Sequence, residues 1–242
     1  MDRMKDEASP CVVIGDLVGS RAAPNRRALH RSVEKALVSA NAAVPAVTAL
    51  RITVGDEFQG AYASLGAAIE AALRVRLELL PGADVRVGIG RGPVQLLDAE
   101  RGLEDGPGWW AARAAIESVE QAAGRAATRH LRTAYRPAPP GAAEDPVRPS
   151  TGAEADGVDA DGVDAAVVDA NAVNAALLCR DHLVGSLSDR SIRLLRGLMD
   201  PHTTQSELAS LEGISASAVS QRVRADGIGA VLAAEELLRG LP

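Results

Sequence analysis

The chain has 242 residues, 47% of them hydrophobic, enough for one good core and a smaller second unit and too apolar for a disordered chain. Its formal charge is −6, yet residues 137–164 alone hold Glu144, Asp145, Glu154, Asp156, Asp159, Asp161 and Asp164 against Arg148. The remainder is close to neutral, so charge gives no global attraction to nucleic acid or to an anionic membrane. The charged start lacks the apolar stretch of a signal peptide, and no run approaches a membrane span. Cys11 and Cys179 have neither metal spacing nor a disulfide framework. These features predict a cytoplasmic protein with core thiols and no membrane partner.

In chain order, Val12-Val13-Ile14-Gly15-Asp16-Leu17-Val18-Gly19-Ser20-Arg21 reads as a buried apolar strand that ends in a carboxylate and a Gly-Ser turn. Residues 21–41 follow, with Leu29, Val33, Ala36, Leu37 and Ala40 at helical spacing and a basic set of Arg26, Arg27, Arg31 and Lys35. A helix opening just past Gly19-Ser20 offers an anion its free N–H groups and positive dipole end, with Arg21 and Arg26 close by; a merely solvated basic face would carry the same residues. Two strands, 47–54 and 58–62, meet at a tight turn whose tip is Gly55-Asp56. A second helix over 65–80, rich in Ala and Leu, stops at Pro81-Gly82. A strand at 85–90, a turn at Arg91-Gly92-Pro93 and a strand at 94–97 come next. A third helix then opens after Asp105-Gly106-Pro107-Gly108 and carries Trp109, Trp110, Arg113 and Ile116 towards His130.

The order is β-α-β-β-α-β with an extra strand and helix, the split βαβ arrangement in which the first strand lies beside the third. That topology sets the end of the first strand against the hairpin tip. Asp16 and Asp56 then form a pair of hard oxygen donors of the kind Mg²⁺ or Mn²⁺ needs to hold a triphosphate.

From 137 to 164 Pro, Gly, Ala and Asp dominate. Asp159-Ala160-Asp161-Gly162 starts like a calcium loop but lacks the remaining ligands and the closing Glu, so a flexible acidic linker is predicted. It separates a domain at 1–136 from a small all-α domain at 165–242. There, a helix over 165–184 precedes Ser188, placed as an N-cap before Ile192, Leu194, Leu195 and Leu198. A capped helix from Thr204, a turn at Gly213, a Ser215 cap and a second helix with Val219 and Val223 inward make a helix-turn-helix.

Four stretches carry a family likeness: Asp16-Leu17-Val18-Gly19-Ser20-Arg21, Gly55-Asp56-Glu57-Phe58-Gln59, Arg86-Val87-Gly88-Ile89-Gly90-Arg91-Gly92-Pro93, and Asp105-Gly106-Pro107 followed by Ala111-Ala112-Arg113. Together they resemble the SatD family over roughly the first 135 residues, and they are similar to the catalytic core of class III nucleotide cyclases. The resemblance implies an α+β, ferredoxin-like (palm, or cyclase-like) domain. In it Asp16 and Asp56 hold the metal, Gly19, Ser20, Arg21 and Gly55 lie at the phosphates, and Arg113 occupies the catalytic, charge-stabilising position. Trp109 departs from the Asn that cyclases carry, and Ile52 from the base-selecting Lys of adenylyl cyclases, with Arg51 on the other face. Metal and phosphate binding therefore has more support than cyclisation, since a triphosphate without donors aimed at the developing charge is only bound. The C-terminal unit resembles the helix-turn-helix of bacterial regulators, which implies that Ser215, Ser217, Ala218, Gln221 and Arg222 face a major groove and that two chains pair as a homodimer. A unit that only packs or dimerises is the alternative.

Two functions stay open, beside a third in which the fold is an inactive interaction scaffold. One is a ligand-responsive, DNA-binding transcriptional regulator whose N-terminal domain binds a nucleotide with a divalent metal. The other is a metal-dependent nucleotidyl cyclase or related phosphotransfer enzyme that uses the C-terminal unit for targeting or dimerisation. Trp109 and the tail favour the regulator; the retained Asp pair keeps the enzyme in play.

Overall fold

In the computed structural model the described residues are 9–20, 25–98, 103–139, 142 and 165–242, so the predicted linker lies almost wholly outside them. Strand β1 (Cys11–Leu17) is central and runs antiparallel to both of its neighbours, β3 (Phe58–Tyr62) and β4 (Val85–Arg91). β2 (Thr48–Ile52) lies outside β3, and β7 (Thr133–Pro137) lies parallel to β4, giving a mixed sheet of order β2-β3-β1-β4-β7. The first and third strands are neighbours, as their order in the chain predicts. β5 (Gln95–Asp98) and β6 (Leu103–Asp105) form a separate two-stranded sheet. Sequence reading missed β6 and β7: one is three residues long, and the other ends in a proline that only an edge strand tolerates, so neither shows a clear alternation.

Successive side chains of β1 take opposite faces. Cys11, Val13 and Leu17 join a core built on helices α1 (Arg26–Ala43) and α2 (Leu65–Leu79), whereas Val12 and Ile14 pack on Trp109, Ala112 and Ile116 of α3 (Pro107–Ala123). Glycines decide how near these layers come. A Cβ at Gly15 would overlap the Phe58 ring, and one at Gly88 or Gly90 would overlap the α3 backbone, so β4 lets the helix lie directly on its main chain. Helix α1 opens at Arg26 under an Asn25 cap, later than predicted, and α3 ends at Ala123, well short of His130.

An asparagine amide closes each outer strand. Asn41 accepts from the Leu50 N–H and donates to the Leu50 carbonyl, both at 2.9 Å, and Asn174 makes the same two bonds with Tyr135 at 2.8 Å. Each amide bonds the strand backbone as a further strand would, which blunts the edge.

Helices α4 (Ala165–Gly185), α5 (Asp189–Leu198), α6 (Gln205–Glu212), α7 (Ala216–Ala225) and α8 (Ile228–Arg239) complete the chain; α8 was not foreseen. They do not keep a core to themselves. Ala170, Val173, Leu177 and Leu238 join the core beneath the sheet, while Leu73 and Leu77 of α2 pack among Val184, Ile192, Leu195, Val219 and Ile228. Helix α2 is thus covered on two sides, which explains why most of its residues, Glu70 and Arg76 included, are buried. A buried ionic network stitches the same boundary. Asp84 accepts from Arg76 and Arg132, and Asp181 accepts from Arg76, Arg180 and the Arg132 and Thr133 backbone N–H groups. Arg180 also donates to Glu235 on α8, so three arginines and three carboxylates balance, with Arg76, Arg180, Asp181 and Glu235 buried and Arg132 and Asp84 half-buried at the margin.

Candidate functional site

Asp16 shares the face of Val12 and Ile14, on the α3 side, and stands opposite Arg86 in the β1–β4 register. Arg86 donates from Nε to Oδ1 (2.9 Å) and from Nη2 to Oδ2 (2.8 Å), and its Nη1 reaches Glu120 Oε1 on α3 (2.7 Å). Burial pushes the Asp16 carboxyl above the usual carboxylate range. The Arg86 guanidinium opposes that shift, and the charges of Asp56 and Glu120 add to it. The two predicted acids thus feel one another's charge, but Asp16 lies on the α3 face of the sheet and does not line the cavity that Asp56 lines. Sequence reading missed that both Asp16 oxygens are already engaged. The signal was there in the strand period, which puts Arg86 on the face opposite Val85 and Val87.

At the hairpin tip Gly55 adopts φ +67°, a conformation other residues resist, and the Thr53 N–H donates to the Glu57 carbonyl at 2.9 Å to close the loop. The two adjacent acids then part. Asp56 lines a cavity on the α1 side, while Glu57 turns to α3, where Arg113 donates from Nη1 to Oε2 (2.8 Å) and from Nη2 to Oε1 (3.0 Å). Gln59 Nε2 adds a third bond to Glu57 Oε1 at 3.0 Å. The arginine singled out by resemblance is thus held fork-to-fork by a carboxylate to which sequence reading gave no role.

The cavity beside Asp56 has a volume of about 380 Å³ and is lined by Leu17, Ser20, Ile52 and Gly55 and by Arg26, Arg27, His30 and Arg31 from the first turns of α1. Among the described residues the three arginines have no carboxylate partner, and only His30 has a nearby acid, Glu34 at 3.6 Å. The N–H of Ala28 is bonded by the Asn25 side chain at 2.9 Å, so attraction for an anion comes mainly from the arginines rather than from the open helix end that was predicted. Gly19, at φ +69°, lines an adjoining hollow of about 410 Å³ together with Ser20 and Asn25. Arg21 lies outside the described residues.

Among the described residues no group of three or more His, Cys, Asp or Glu side chains is placed to hold a metal ion. Mg²⁺ takes hard carboxylates of this kind, but both Asp16 oxygens are held by Arg86, and of the two predicted ligands Asp56 alone lines the cavity.

In the C-terminal helices the predicted caps are in place. Thr204 and Glu207 form a reciprocal capping box on α6, Gly213 turns at φ +63°, and Ser215 accepts from the Ala218 N–H at 3.1 Å to open α7. Val219 is fully buried. Ser215, Ser217 and Gln221 are exposed, whereas Ala218 and Arg222 are half-buried, and Arg222 is drawn to Asp226 at 3.6 Å. Of the two thiols predicted to be in the core, Cys11 is buried, and burial pushes it up to about 11; Cys179 is exposed.

These features define an α+β protein with a mixed sheet, a C-terminal helical region, and a cavity lined by arginines and by Asp56 of the β2–β3 turn. The chain belongs to the SatD family, whose model matches residues 11–131. No curated protein matches it. The matched stretch contains both acids, the cavity and Arg113; β7 and helices α4 to α8 lie beyond it. No helix among the described residues is long and apolar enough to cross a membrane.

Proposed function

We propose that the protein is a ligand-responsive, DNA-binding transcriptional regulator whose N-terminal domain, ferredoxin-like and akin to nucleotide cyclase cores, binds a nucleotide that carries Mg²⁺ or Mn²⁺. The observation that carries this reading is the shared cavity of Arg26, Arg27, Arg31 and Asp56, with Asp16 in electrostatic reach beyond it. A bare anion meets the acids, and a bare cation meets the arginines. A metal-bound polyphosphate satisfies both sets at once. The arginines bind the phosphates, and Asp56 and Asp16 would hold the metal, whose contribution is to neutralise and orient the phosphate chain. The antiparallel run β2-β3-β1-β4 supports the ferredoxin-like assignment, and the capped pair α6 and α7 about Gly213 supports a helix-turn-helix. Helix α2, packed on the sheet and on the C-terminal helices alike, supports transmission of the ligand's state to α7, and two chains pair as a homodimer on a two-fold site.

Glu57 disfavours the alternative of a working cyclase, because it neutralises Arg113, the donor that would have to meet developing charge. Calorimetry with each nucleoside triphosphate is the test. Binding is expected with Mg²⁺ or Mn²⁺ and lost in chelator, and Asp56→Asn lowers affinity at least about tenfold, near 1.4 kcal/mol. Metal-independent binding, or unchanged affinity in Asp56→Asn, refutes the site. Mass spectrometry of the same mixtures separates the two functions: intact triphosphate accords with a regulator, a cyclic product with an enzyme.

A further inference from the structure

On the reading that α6 and α7 form a DNA-binding unit, we propose that Arg224, rather than Arg222, is the arginine through which α7 holds duplex DNA, with Ser217 and Gln221 beside it at the base edges. Val219 and Val223 turn α7 onto the core, and Ser217, Gln221 and Arg224, spaced by four and then three residues, form one exposed stripe on the opposite side. Arg222 lies off that stripe. It is half-buried and paired with Asp226, which also accepts a hydrogen bond from the Ser191 hydroxyl of α5, so Arg222 belongs to the packing between helices.

Charge points to the same residue. Among the described residues of α4 to α8 every arginine but Arg224 has a carboxylate within salt-bridge distance. Arg224 is the one cation there left to meet a phosphate or a guanine edge. The occupant is duplex DNA because the face is slim as well as cationic at one end. Exposed Ala216 and Ser217 let the helix backbone enter a groove about 12 Å wide, and the Gln221 amide has the donor and acceptor that adenine presents. With one open cation per protomer, non-specific affinity is weak, and each phosphate contact adds about 0.9 to the slope of log affinity against log salt.

The experiment is selection of random duplexes on the full-length protein, with and without triphosphate and Mg²⁺, followed by gel shift of the enriched site with Arg224→Ala and Arg222→Ala. Arg224→Ala is expected to weaken binding by about 10–100-fold with its melting temperature unchanged, and Arg222→Ala to stay within about threefold while melting earlier. If Arg222→Ala weakens binding as much as Arg224→Ala, or if Arg224→Ala has no effect, the assignment is overturned and the DNA-binding reading survives. If the wild-type protein enriches no sequence, both fail together.

Discussion

Asp56 and Glu57 show how far one residue can shift a role. Both are carboxylates at the same turn, yet one opens on a cation-lined cavity and the other is consumed by Arg113 and Gln59, because Asp56 is still in the turn while Glu57 leads directly into β3 at Phe58. Environment separates the histidines too. His130 stands edge-on to His182, with ring centroids 5.5 Å apart, and is held below the ordinary histidine range, first by burial and then by the charges of Arg129, His182, Arg132 and Arg76. A depressed folded pKa means that the unfolded chain takes up the proton first as the pH falls. The stability His130 contributes is therefore complete above the ordinary value of about 6.5 and is lost as the pH falls through it. Thermal melts between about pH 8 and pH 5 should show this decline. His130→Asn should flatten it, and an unchanged slope in the variant would place the acid sensitivity elsewhere.

At the scale of elements, closeness is what needs explaining. α3 can lie on β4 only because Gly88 and Gly90 offer no side chain, and that contact is what brings Arg113 over Glu57. The sheet edges are closed by side chains rather than by strands. Removing the Asn174 amide takes away two partly buried hydrogen bonds to the Tyr135 backbone, which costs about 1–3 kcal/mol. Asn174→Ala is expected to lower stability to denaturant by that amount and to promote self-association through the opened β7 edge. A variant as stable and as monodisperse as the wild type would show that the amide closes nothing of consequence.

For the whole molecule the decisive feature is the boundary that is not a boundary. The cores above and below α2 both include α2 side chains, and the Arg76, Asp84, Arg132, Asp181, Arg180 and Glu235 network lies where α2, α4, α8 and two strands meet. Calorimetry should therefore record one cooperative transition for the full chain. Asp181→Asn, which leaves Arg76 and Arg180 short of a fully buried carboxylate, should lower that single transition by about 3–5 kcal/mol. Two separable transitions in the wild-type protein would mean that the C-terminal helices fold on their own. The same continuity is the route that the proposed regulator would use: α2 packs on α1 and β1 and also on α5 and α8, which in turn pack on α7.

What the sequence by itself determined is what depends on neighbours along the chain. The apolar run of β1, the glycine at the hairpin tip and the Ser188, Thr204 and Ser215 caps rest on periodicity or on bonds within a few residues and are where the residues predict, while α1 and α3 are found with shifted ends. The order of strands along the chain was enough to set the first strand beside the third. Only the tertiary structure decided who neutralises whom. Arg86 meets Asp16 across 70 positions and Arg113 meets Glu57 across 56, and no local pattern distinguishes a strand arginine that will find an acid from one that will face water. β7 and α8 went unread for a related reason. Each is stabilised mainly by what it packs on, β7 by β4 and Asn174, α8 by α2 and the buried Arg180, so their identity as elements arises from contacts that form only once the chain has folded.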